Sequence, residues 1–359
     1  MQLNFDISFN IATQKQKNTE YNNQLSAYNK AQADFQKALD DWRNKNSLNT
    51  LNVNGVSSSE IQQRLTLGRE PSAKLSVLST DGTVDNNFFW VPGWNTGATN
   101  FKSMMQKLGM DSSSSVILKW PANKLGNVTV QYSNLHNSTY IGNDGQTHHI
   151  SNIRVNYKID SSNTEHGIAL FSDITDGLSY LATTGVTATY TLYGDDGKPL
   201  DLSSGHAYIT VTSLNRNAGG VTETVKGENG TKAYAVLGSS VSNHNGMLYA
   251  DQNNDPDSTD PTTSWHGKDN WDTKGPDEYY GAGLIEANSN DFTIRYSELN
   301  FDSPANIDGN TLHGSQAGGP WVTITTDIMA TPGPKYDGPK PPQQKKSTIN
   351  YHYDVILIR

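Results

Sequence analysis

The feature that most constrains the fold is a series of short segments, rich in Val, Ile, Thr and Tyr, between residues 60 and 330. Turns of Gly, Asn, Asp and Ser separate these segments, for example GNDG (142–145) and GDDG (194–197). The clearest segments are 115–120, 127–133, 152–159, 187–193, 207–214, 291–299 and 320–328. This pattern is typical of an antiparallel sandwich or barrel, so the sequence predicts a mainly β protein. FKSMMQKLGM (101–110) is the main helical exception.

The N-terminal region contains two different patterns. Residues 2–13 alternate apolar and polar side chains, which predicts a strand over residues 1–13. Over residues 14–46, apolar side chains recur at steps of three and four, at Tyr21, Leu25, Tyr28, Phe35, Leu39 and Trp42. This stripe predicts an amphipathic, stalk-type helix. It leaves open whether the helix lies on the β domain or packs along another long element.

The C-terminal region combines a proline-rich segment with a final apolar stretch. Residues 331–348 include five prolines, which disfavour a helix or a central strand and favour an extended conformation. The segment is predicted to be a linker or a brace. Residues 349–359 are β-branched and aromatic, which predicts a C-terminal strand.

Composition excludes several classes of protein. The absence of cysteine from 359 residues excludes disulfides, thiolate metal sites and a cysteine nucleophile. The net charge of -9 makes nucleic acid an unlikely partner, because binding it requires basic residues that displace counterions from phosphates. With no run of 18 apolar residues, we expect no membrane insertion. Residues 1–15 lack the features of a secretion signal, so we expect a mature or excised fragment. We also expect the protein to be a monomer.

Residues 263–283 concentrate aromatic and acidic side chains in a stretch that glycine and proline interrupt. The stretch has neither the helix nor the strand period, so it is predicted to be a shaped surface loop. Sugars present apolar faces and a rim of hydroxyls, which flat rings and carboxylates bind. The candidate ligand-binding residues are Trp265, Asp269, Trp271, Asp272, Glu278, Tyr279 and Tyr280. The alternative, that Trp265 or Trp271 turns inward and pins the loop, stays open.

The approach to this loop, residues 251–260, is rich in the oxygen ligands that Ca²⁺ prefers. Asp251, Asp255 and Asp257 are the candidate ligands of a structural calcium ion, with Asn254 in the same run. The run is not an EF-hand, because Pro256 occupies the place of the sharp-turn glycine. A solvated acidic loop is the alternative interpretation.

Catalytic motifs find little support. The nine histidines show no metal-binding spacing, and His148 and His149 are expected on opposite faces of a strand. No G-x-S-x-G context indicates a serine triad. A carboxylate pair for glycoside hydrolysis stays open, because its separation cannot be read from a sequence. We rank a binding protein above a hydrolase and expect no enzymatic activity.

Several stretches resemble a family of cell-wall adhesins. EIQQRLTLGREPSAKLSV (60–77), after YNNQLSAYNKAQADFQKALDDW (21–42), is similar to the passage from the helical stalk into the variable domain of streptococcal antigen I/II adhesins. The same order of segments, ending in TINYHYDVILIR (348–359), resembles the glucan-binding protein C family. The most specific matches are EPSAKLSV, the closing strand, and the pair GMLYA (246–250) and YYGAG (279–283).

This resemblance implies a large two-sheet lectin-like β-sandwich, here over residues 47–330, displayed on a Gram-positive cell wall. It also implies a ligand site in the loops, often with Ca²⁺. In dextran-binding members a tryptophan and a glutamate contact glucan, and Trp265 and Glu278 match them, with Trp271 and Asp272 as neighbours. The sequence has no LPxTG anchor, so the cell-wall location rests on the resemblance.

We therefore expect a non-enzymatic adhesin module that binds α-glucan such as dextran. Trp265 would stack on a glucose ring, and Glu278 and Asp272 would accept its hydroxyls. The alternative is an adhesin for host or bacterial glycoproteins. Extracellular DNA, which other relatives bind, and a polysaccharide-cleaving activity rank lower.

Overall fold

The computed structural model describes residues 2–46, 63–86, 88, 115–217, 219–236, 238–255, 271–272, 278–300, 320–326 and 338–346. The chain forms two compact units: Met1–Asn46 with Gly333–Arg359, and Ser47–Pro332. These divisions lie close to the predicted ones after residues 46 and 330. The predicted helix at 101–110 and the predicted strand at 349–359 lie outside the described residues.

Gln2–Asn46 form one α-helix, α1, so the strand predicted over residues 1–13 is wrong for residues 2–13. The stretch contains no glycine or proline that would interrupt a helix. Once a helix is nucleated, each added residue gains a backbone hydrogen bond, so the helical segment extends through the alternating residues before it. Among the described helices, none combines the length and apolar character that crossing a bilayer requires.

One face of α1 is partly buried, and it is the face on which the apolar stripe lies. Tyr21, Leu25, Tyr28 and Phe35 are half-buried, whereas most residues between them are exposed. The side chains of Leu39 and Trp42 lie outside the described residues. The stripe is therefore a packing face over at least residues 21–35.

The proline-rich segment belongs to the same unit as α1. Its described part, residues 338–346, has neither helix nor strand. The Lys345 carbonyl accepts a hydrogen bond of 3.3 Å from the Gln14 side chain on α1. This contact fits the predicted brace, because an extended segment without its own backbone ladder gains a partner from the helix.

The described part of Ser47–Pro332 contains eighteen strands. They are β1 (Leu65–Thr66), β2 (Lys74–Thr80), β3 (Thr83–Val84), β4 (Val116–Trp120), β5 (Gly126–Ser133), β6 (Thr139–Ile141), β7 (Thr147–Ile159), β8 (His166–Leu170), β9 (Leu178–Leu181), β10 (Gly185–Gly194), β11 (Ala207–Thr212), β12 (Val221–Glu228), β13 (Lys232–Ala235), β14 (Val241–His244), β15 (Met247–Ala250), β16 (Gly283–Ala287), β17 (Asp291–Asn300) and β18 (Trp321–Thr325). Two short 3₁₀ helices, Ile174–Asp176 and Glu278–Gly281, interrupt the series.

These strands form two antiparallel sheets. The ten-stranded sheet has the order β1-β6-β7-β10-β17-β12-β15-β14, with β5 pairing to β7 and β2. The eight-stranded sheet has the order β13-β16-β11-β18-β9-β8-β4-β3. All pairs of described strands are antiparallel. Each of the seven strand segments singled out from the sequence overlaps one of these strands.

The main apolar core lies between the two sheets, and a small second cluster is formed by Val236, Ala282 and Leu284. The central strand β10 shows the reason, because its side chains alternate between Val186, Ala188, Tyr190 and Leu192 in the core and half-exposed threonines on the outside. Residues of both sheets join the main core. Period-2 alternation of this kind specifies which face of each strand is buried. The predicted antiparallel β-sandwich is thus confirmed.

Four tyrosines extend from adjacent strands of the larger sheet into this core. The Tyr190 and Tyr296 hydroxyls lie 2.9 Å apart, and those of Tyr132 and Tyr157 lie 3.5 Å apart. Burial raises the pKa of all four hydroxyls. The pairing satisfies polar groups that would otherwise be buried at a cost.

Glu70, in the EPSAKLSV stretch, ties two connections to the sandwich. Its side chain is 1% exposed and accepts hydrogen bonds from the backbone of His136 and Asn137, both at 2.7 Å. Its own N–H donates to Asp173, which begins the first 3₁₀ helix. A buried carboxylate is tolerated only with such donors, so the residue has a structural role here.

Candidate ligand-binding site

The candidate ligand-binding residues that the structure describes lie where β11 ends. After Thr212, Ser213 takes a φ of 66°, which turns the chain sharply. Other loop segments meet it there through hydrogen bonds. We call this region the loop cluster: residues 213–217, 239–240, 251–255, 271–272 and 278–281. Its segments are far apart in sequence, so specific contacts must hold them together.

Asn254 connects most of the loop cluster. Its side chain is completely buried. The Oδ1 accepts a hydrogen bond of 2.7 Å from the Arg216 N–H, and the Nδ2 donates to the Leu214 carbonyl at 3.1 Å and to the Ser240 hydroxyl at 2.7 Å. Burying an amide is unfavourable unless its groups are bonded. Asn254 meets that condition only when all these segments are in place.

Trp271 closes the loop cluster from the other side. Its ring is completely buried, and its Nε1 donates to the Asn254 carbonyl at 3.0 Å. The ring lies so close to Gly281 that a Cβ there would come within 1.9 Å of it. Tyr280 meets the ring edge-on, with 5.8 Å between centroids. Only glycine at position 281 leaves room for the indole.

This burial contradicts the prediction that Trp271 offers a stacking face to a sugar. A face that meets a ligand must be exposed, and the Trp271 ring is not. The alternative, a tryptophan that turns inward and pins the loop, describes Trp271 correctly. Both parts of the indole find partners inside, the apolar ring at Gly281 and the N–H at Asn254.

The acidic candidates Asp272 and Glu278 hold the loop cluster in place. Asp272 accepts hydrogen bonds from the Ser213 hydroxyl at 2.6 Å and from the Asn215 amide at 3.0 Å. Glu278 is 5% exposed and accepts a hydrogen bond of 2.9 Å from the Thr212 hydroxyl. Charge-assisted hydrogen bonds of this kind are strong and directional. The geometry favours a positioning role for both carboxylates over direct contact with a sugar.

The remaining ligand candidates divide into two groups. Tyr279 and Tyr280 are half-buried on the second 3₁₀ helix. The Tyr280 carbonyl accepts hydrogen bonds from the Ser239 and Ser240 hydroxyls at 2.9 and 2.7 Å, so the backbone that carries both rings is fixed. Trp265 and Asp269 lie outside the described residues, and their roles stay predictions.

The predicted calcium ligands are partly engaged elsewhere. One Asp251 oxygen lies 2.8 Å from His244 Nε2, and the other accepts from the Ser242 hydroxyl. Asp255 is half-buried, and Asp257 lies outside the described residues. Among the residues that the structure describes, no three His, Cys, Asp or Glu side chains are grouped to hold a metal ion. The calcium site therefore stays a prediction.

A pair of glutamates that the sequence motifs do not reveal lies beneath the loop cluster. Glu223 on β12 lies directly opposite Glu298 on β17. Tyr180, from the facing sheet, is completely buried, and among the described groups its hydroxyl has no hydrogen-bond partner. Burial, together with the charges of Asp272 and Glu298, raises the pKa of Glu223 well above its ordinary value. This end of the sandwich thus contains an acidic group that resists ionisation.

The signal for this pair was present in the strand pattern. Glu223 alternates with Val225, and Glu298 alternates with Tyr296, and both of these partners lie in the core. Period-2 alternation therefore places both carboxyl groups on the inward face. The pattern does not show that the two strands are neighbours, because that depends on the sheet order.

Comparison with known families is consistent with this architecture. The family model described as Glucan-binding protein C matches residues 49–324, a span that includes both sheets and the whole loop cluster. The chain belongs to the glucan-binding protein C family. A search of curated proteins finds no match.

Solved structures share the fold. The glucan-binding protein C of Streptococcus mutans is 21% identical, with a TM-score of 0.57, over 96% of this chain and 100% of that one. The adhesin domain of PrgB from Enterococcus faecalis, bound to DNA, is 17% identical, with a TM-score of 0.56, over 78% and 100%. The same domain in a second structure is 18% identical, with a TM-score of 0.54, over 81% and 97%.

Replacing Trp271 tests whether its ring anchors the loop cluster. We expect Trp271→Ala to cost about 3–5 kcal/mol in the free energy of unfolding, because it empties a filled site and removes a buried hydrogen bond. Trp271→Phe keeps much of the ring and should cost less. Chemical denaturation measures both losses. An Ala variant as stable as the original protein would show that the ring does not anchor the cluster.

The raised pKa of Glu223 predicts a stability that depends on pH. The folded state holds this proton more tightly than the unfolded chain, so the stabilisation is complete below the ordinary glutamate pKa and is lost as pH rises through the raised pKa. Glu223→Gln is neutral at every pH. Its melting temperature should therefore exceed that of the original protein by about 2 °C or more at alkaline pH, and by less in acid.

Glu228→Gln is the matched control, because Glu228 is a half-buried glutamate of the same strand that faces Thr293 across the β12–β17 pair, whereas Glu223 faces Glu298. It should leave the pH profile of the melting temperature unchanged. Parallel profiles for Glu223→Gln and the original protein would contradict the assignment.

Proposed function

We propose that this protein is a non-enzymatic cell-surface adhesin module that binds α-glucan chains such as dextran through the segment between Asn254 and Trp271. Membership of the glucan-binding protein C family supports the class of ligand. The observation that carries the proposal is the 3.0 Å hydrogen bond between these two residues. It brings together the ends of a segment that contains Trp265, Asp269 and several further acids. Loops whose ends meet in this way are frequently functional.

In this proposal the two parts of the site have different tasks. Trp265 stacks on a glucose ring, and Asp269 accepts hydrogen bonds from the sugar hydroxyls. Tyr279 and Tyr280, which are half-buried, are further candidates for contact with the sugar. Covering roughly 60 Å² of apolar surface on one indole contributes about 1.5 kcal/mol, so useful affinity requires several sugar units. The module should therefore prefer polymers to single sugars.

The buried candidates support this surface from below. Trp271, Asp272 and Glu278 fix the loop ends on β11 and the 3₁₀ helix, so that the exposed side chains lose less conformational freedom when a sugar binds. Such preorganisation raises affinity without a new contact. Trp265 and Glu278, the residues that match the dextran-binding members, are thus assigned to stacking and to positioning, respectively.

Display on a Gram-positive cell wall, and binding without cleavage, belong to the same proposal. The fold shared with two adhesins supports both. Nucleic acid is a weaker candidate for this chain, because its net charge is -9 and several of its basic side chains are paired with carboxylates. Dextran incubated with the protein should show no new reducing ends.

Replacing Trp265 tests the ligand assignment. We expect Trp265→Ala to weaken binding to immobilised dextran by about tenfold, because it removes the main stacking face, and to leave the melting temperature unchanged. Tyr193→Ala, at a half-exposed tyrosine on the outer face of β10, is the matched control and should bind normally. A protein that dextran does not retain, or retention insensitive to Trp265→Ala, would contradict the proposal. Binding to a glycoprotein that dextran fails to compete would favour the protein-binding alternative.

A structural calcium ion at Asp255 and Asp257 is part of the proposal, and calorimetry tests it. A ligand present at about ten times its dissociation constant stabilises the folded state by about 1.4 kcal/mol. Millimolar Ca²⁺ should therefore raise the melting temperature of chelator-treated protein, and Asp257→Asn should abolish the rise. An unchanged melting temperature would mean that these residues form a solvated acidic loop.

A further inference from the structure

A cavity of about 660 Å³ lies at the end of the ten-stranded sheet opposite the loop cluster. The turn between β6 and β7 and the turn that follows β10 form its walls. We call it the turn basin: residues 140–149 and 194–201. The Glu223–Glu298 pair lies near the start of β10, whereas the basin lies at its end, about 30 Å away at 3.3 Å per residue. The turn basin is therefore distinct from the glucan site proposed above.

The two turns that form the basin are built alike. In each, a Gly–Asn/Asp–Asp–Gly sequence ends in a glycine with a positive φ, 73° at Gly145 and 74° at Gly197. Backbone hydrogen bonds of 3.0 Å close both turns, from Gly145 to Gly142 and from Gly197 to Gly194. Positive φ favours glycine, so both turns are locally fixed. The walls are therefore preformed in the absence of a ligand.

The lining of the turn basin is strongly acidic. It contains the carboxylates of Asp144, Asp195, Asp196 and Asp201, against one ammonium, that of Lys198. Asp195 and Asp196 are 70% and 61% exposed, so both face solvent in the basin. The Lys198 ammonium lies 3.6 Å from Asp196. The lining thus has a formal charge of three negative units when the imidazoles are neutral.

Two histidines lie beside these carboxylates. His148 Nε2 lies 3.0 Å from Asp144, and His149 Nδ1 lies 2.7 Å from Asp195. The hydrogen bond to Asp195 raises the pKa of His149, and the more distant Glu70 acts in the same direction. Arg64 approaches from outside the lining and donates to Asn143 at 3.4 Å. A proton taken up by His149 offsets the charge of the Asp195 carboxylate beside it.

The basin also has an apolar wall, made by Pro199, Leu200 and the buried ring of Tyr140. Pro199 is held against Tyr193 by a backbone bridge, and the Leu200 N–H donates to the Leu192 carbonyl at 2.8 Å. A lysine side chain combines a methylene stem with a charged end, and it packs the stem on apolar surface while the ammonium meets polar groups. The wall and the carboxylates match these two parts.

We propose that the turn basin is a docking site for an exposed lysine side chain of a protein partner, with the ammonium among Asp144, Asp195 and Asp196 and the stem on Pro199 and Leu200. Charge complementarity selects this occupant over a neutral sugar, because the lining offers several acceptors and few donors. The site adds a protein contact to the glucan contact, at the other end of the sandwich.

His149 gives the site a defined pH dependence. Lysine keeps its charge up to its ordinary pKa of about 10.4, so only the basin titrates between weakly acidic and weakly basic pH. Below the raised pKa of His149 the imidazolium neutralises Asp195, and above it the carboxylate is available to the lysine. Binding should therefore strengthen as pH rises, and added salt should weaken it.

The test uses the whole chain and two blocked tripeptides, one with a central lysine and one with norleucine, its uncharged analogue. A single side chain should bind with a dissociation constant of about 1 mM, which amide chemical shifts detect. The lysine peptide should shift the amides of residues 142–149 and 194–201, and the norleucine peptide should not. A change from weakly basic to weakly acidic pH should weaken binding about threefold or more, the loss of one nearby charge.

Variants separate the basin from general surface charge. Asp195→Asn with Asp196→Asn removes two charges from one turn but keeps one acceptor oxygen at each position, and it should weaken lysine binding about tenfold. Glu165→Gln, which removes a carboxylate of similar exposure beside Lys119, should have no effect. No amide shifts up to about 10 mM peptide, equal shifts with norleucine, or an unaffected double variant would overturn the proposal. Shifts of the same amides by isomaltotriose would also overturn it, in favour of a sugar subsite.

Discussion

The hydrogen bonds of Asn254 hold the loop cluster at one end of this sandwich together. Its buried amide and its carbonyl connect the residues after β11, the approach to the acidic loop, the serine at position 240 and the indole of Trp271. None of these segments is adjacent in sequence. Because an unbonded buried amide is strongly unfavourable, the segments are stable together and much less stable apart. The arrangement of the site thus depends on one neutral side chain that carries no signal of function.

The strand pattern predicts most of the sandwich because period-2 alternation and burial describe the same physical property. β10 illustrates this, since its inward and outward residues can be read directly from the sequence. The same rule fails at residues 2–13, where an alternating stretch adjoins a long helix and contains nothing to stop it. There, the strand preference of the alternating residues is weaker than the stabilisation gained by extending the adjacent helix. Sheet order, which brings Glu223 opposite Glu298, depends on contacts distant in sequence and could not be predicted.

The site shows a different limit of sequence reasoning. Aromatic residues in a loop broken by glycine resemble a binding surface, and for Trp271 that interpretation failed. The missing information was that Gly281 leaves the space that the indole fills, a relation between residues that only the fold brings together. The acidic residues behave similarly. As carboxylates, Asp272 and Glu278 are predicted to accept hydrogen bonds from sugar hydroxyls, and in the structure they accept hydrogen bonds from the Ser213 and Thr212 hydroxyls instead.

The two ends of the larger sheet also differ in how they treat charge. Near the start of β10, Glu298 is buried, and desolvation together with neighbouring acids raises the pKa of Glu223. Near the end of β10, carboxylates remain in solvent and lie beside imidazoles. The difference follows from depth, because desolvation opposes ionisation inside the sandwich and is nearly absent at its rim. The same sheet thus contains a glutamate pair that resists ionisation at one end and a solvent-exposed anionic surface at the other.

The meeting of Asn254 and Trp271 has a consequence for engineering. Because the Trp271 indole N–H donates to the Asn254 carbonyl, the sandwich fixes both residues that flank the intervening segment. Its composition can vary while both attachment residues and the glycine behind the indole are kept. A library randomised between them would sample new specificities on an unchanged scaffold, without any disulfide to re-form.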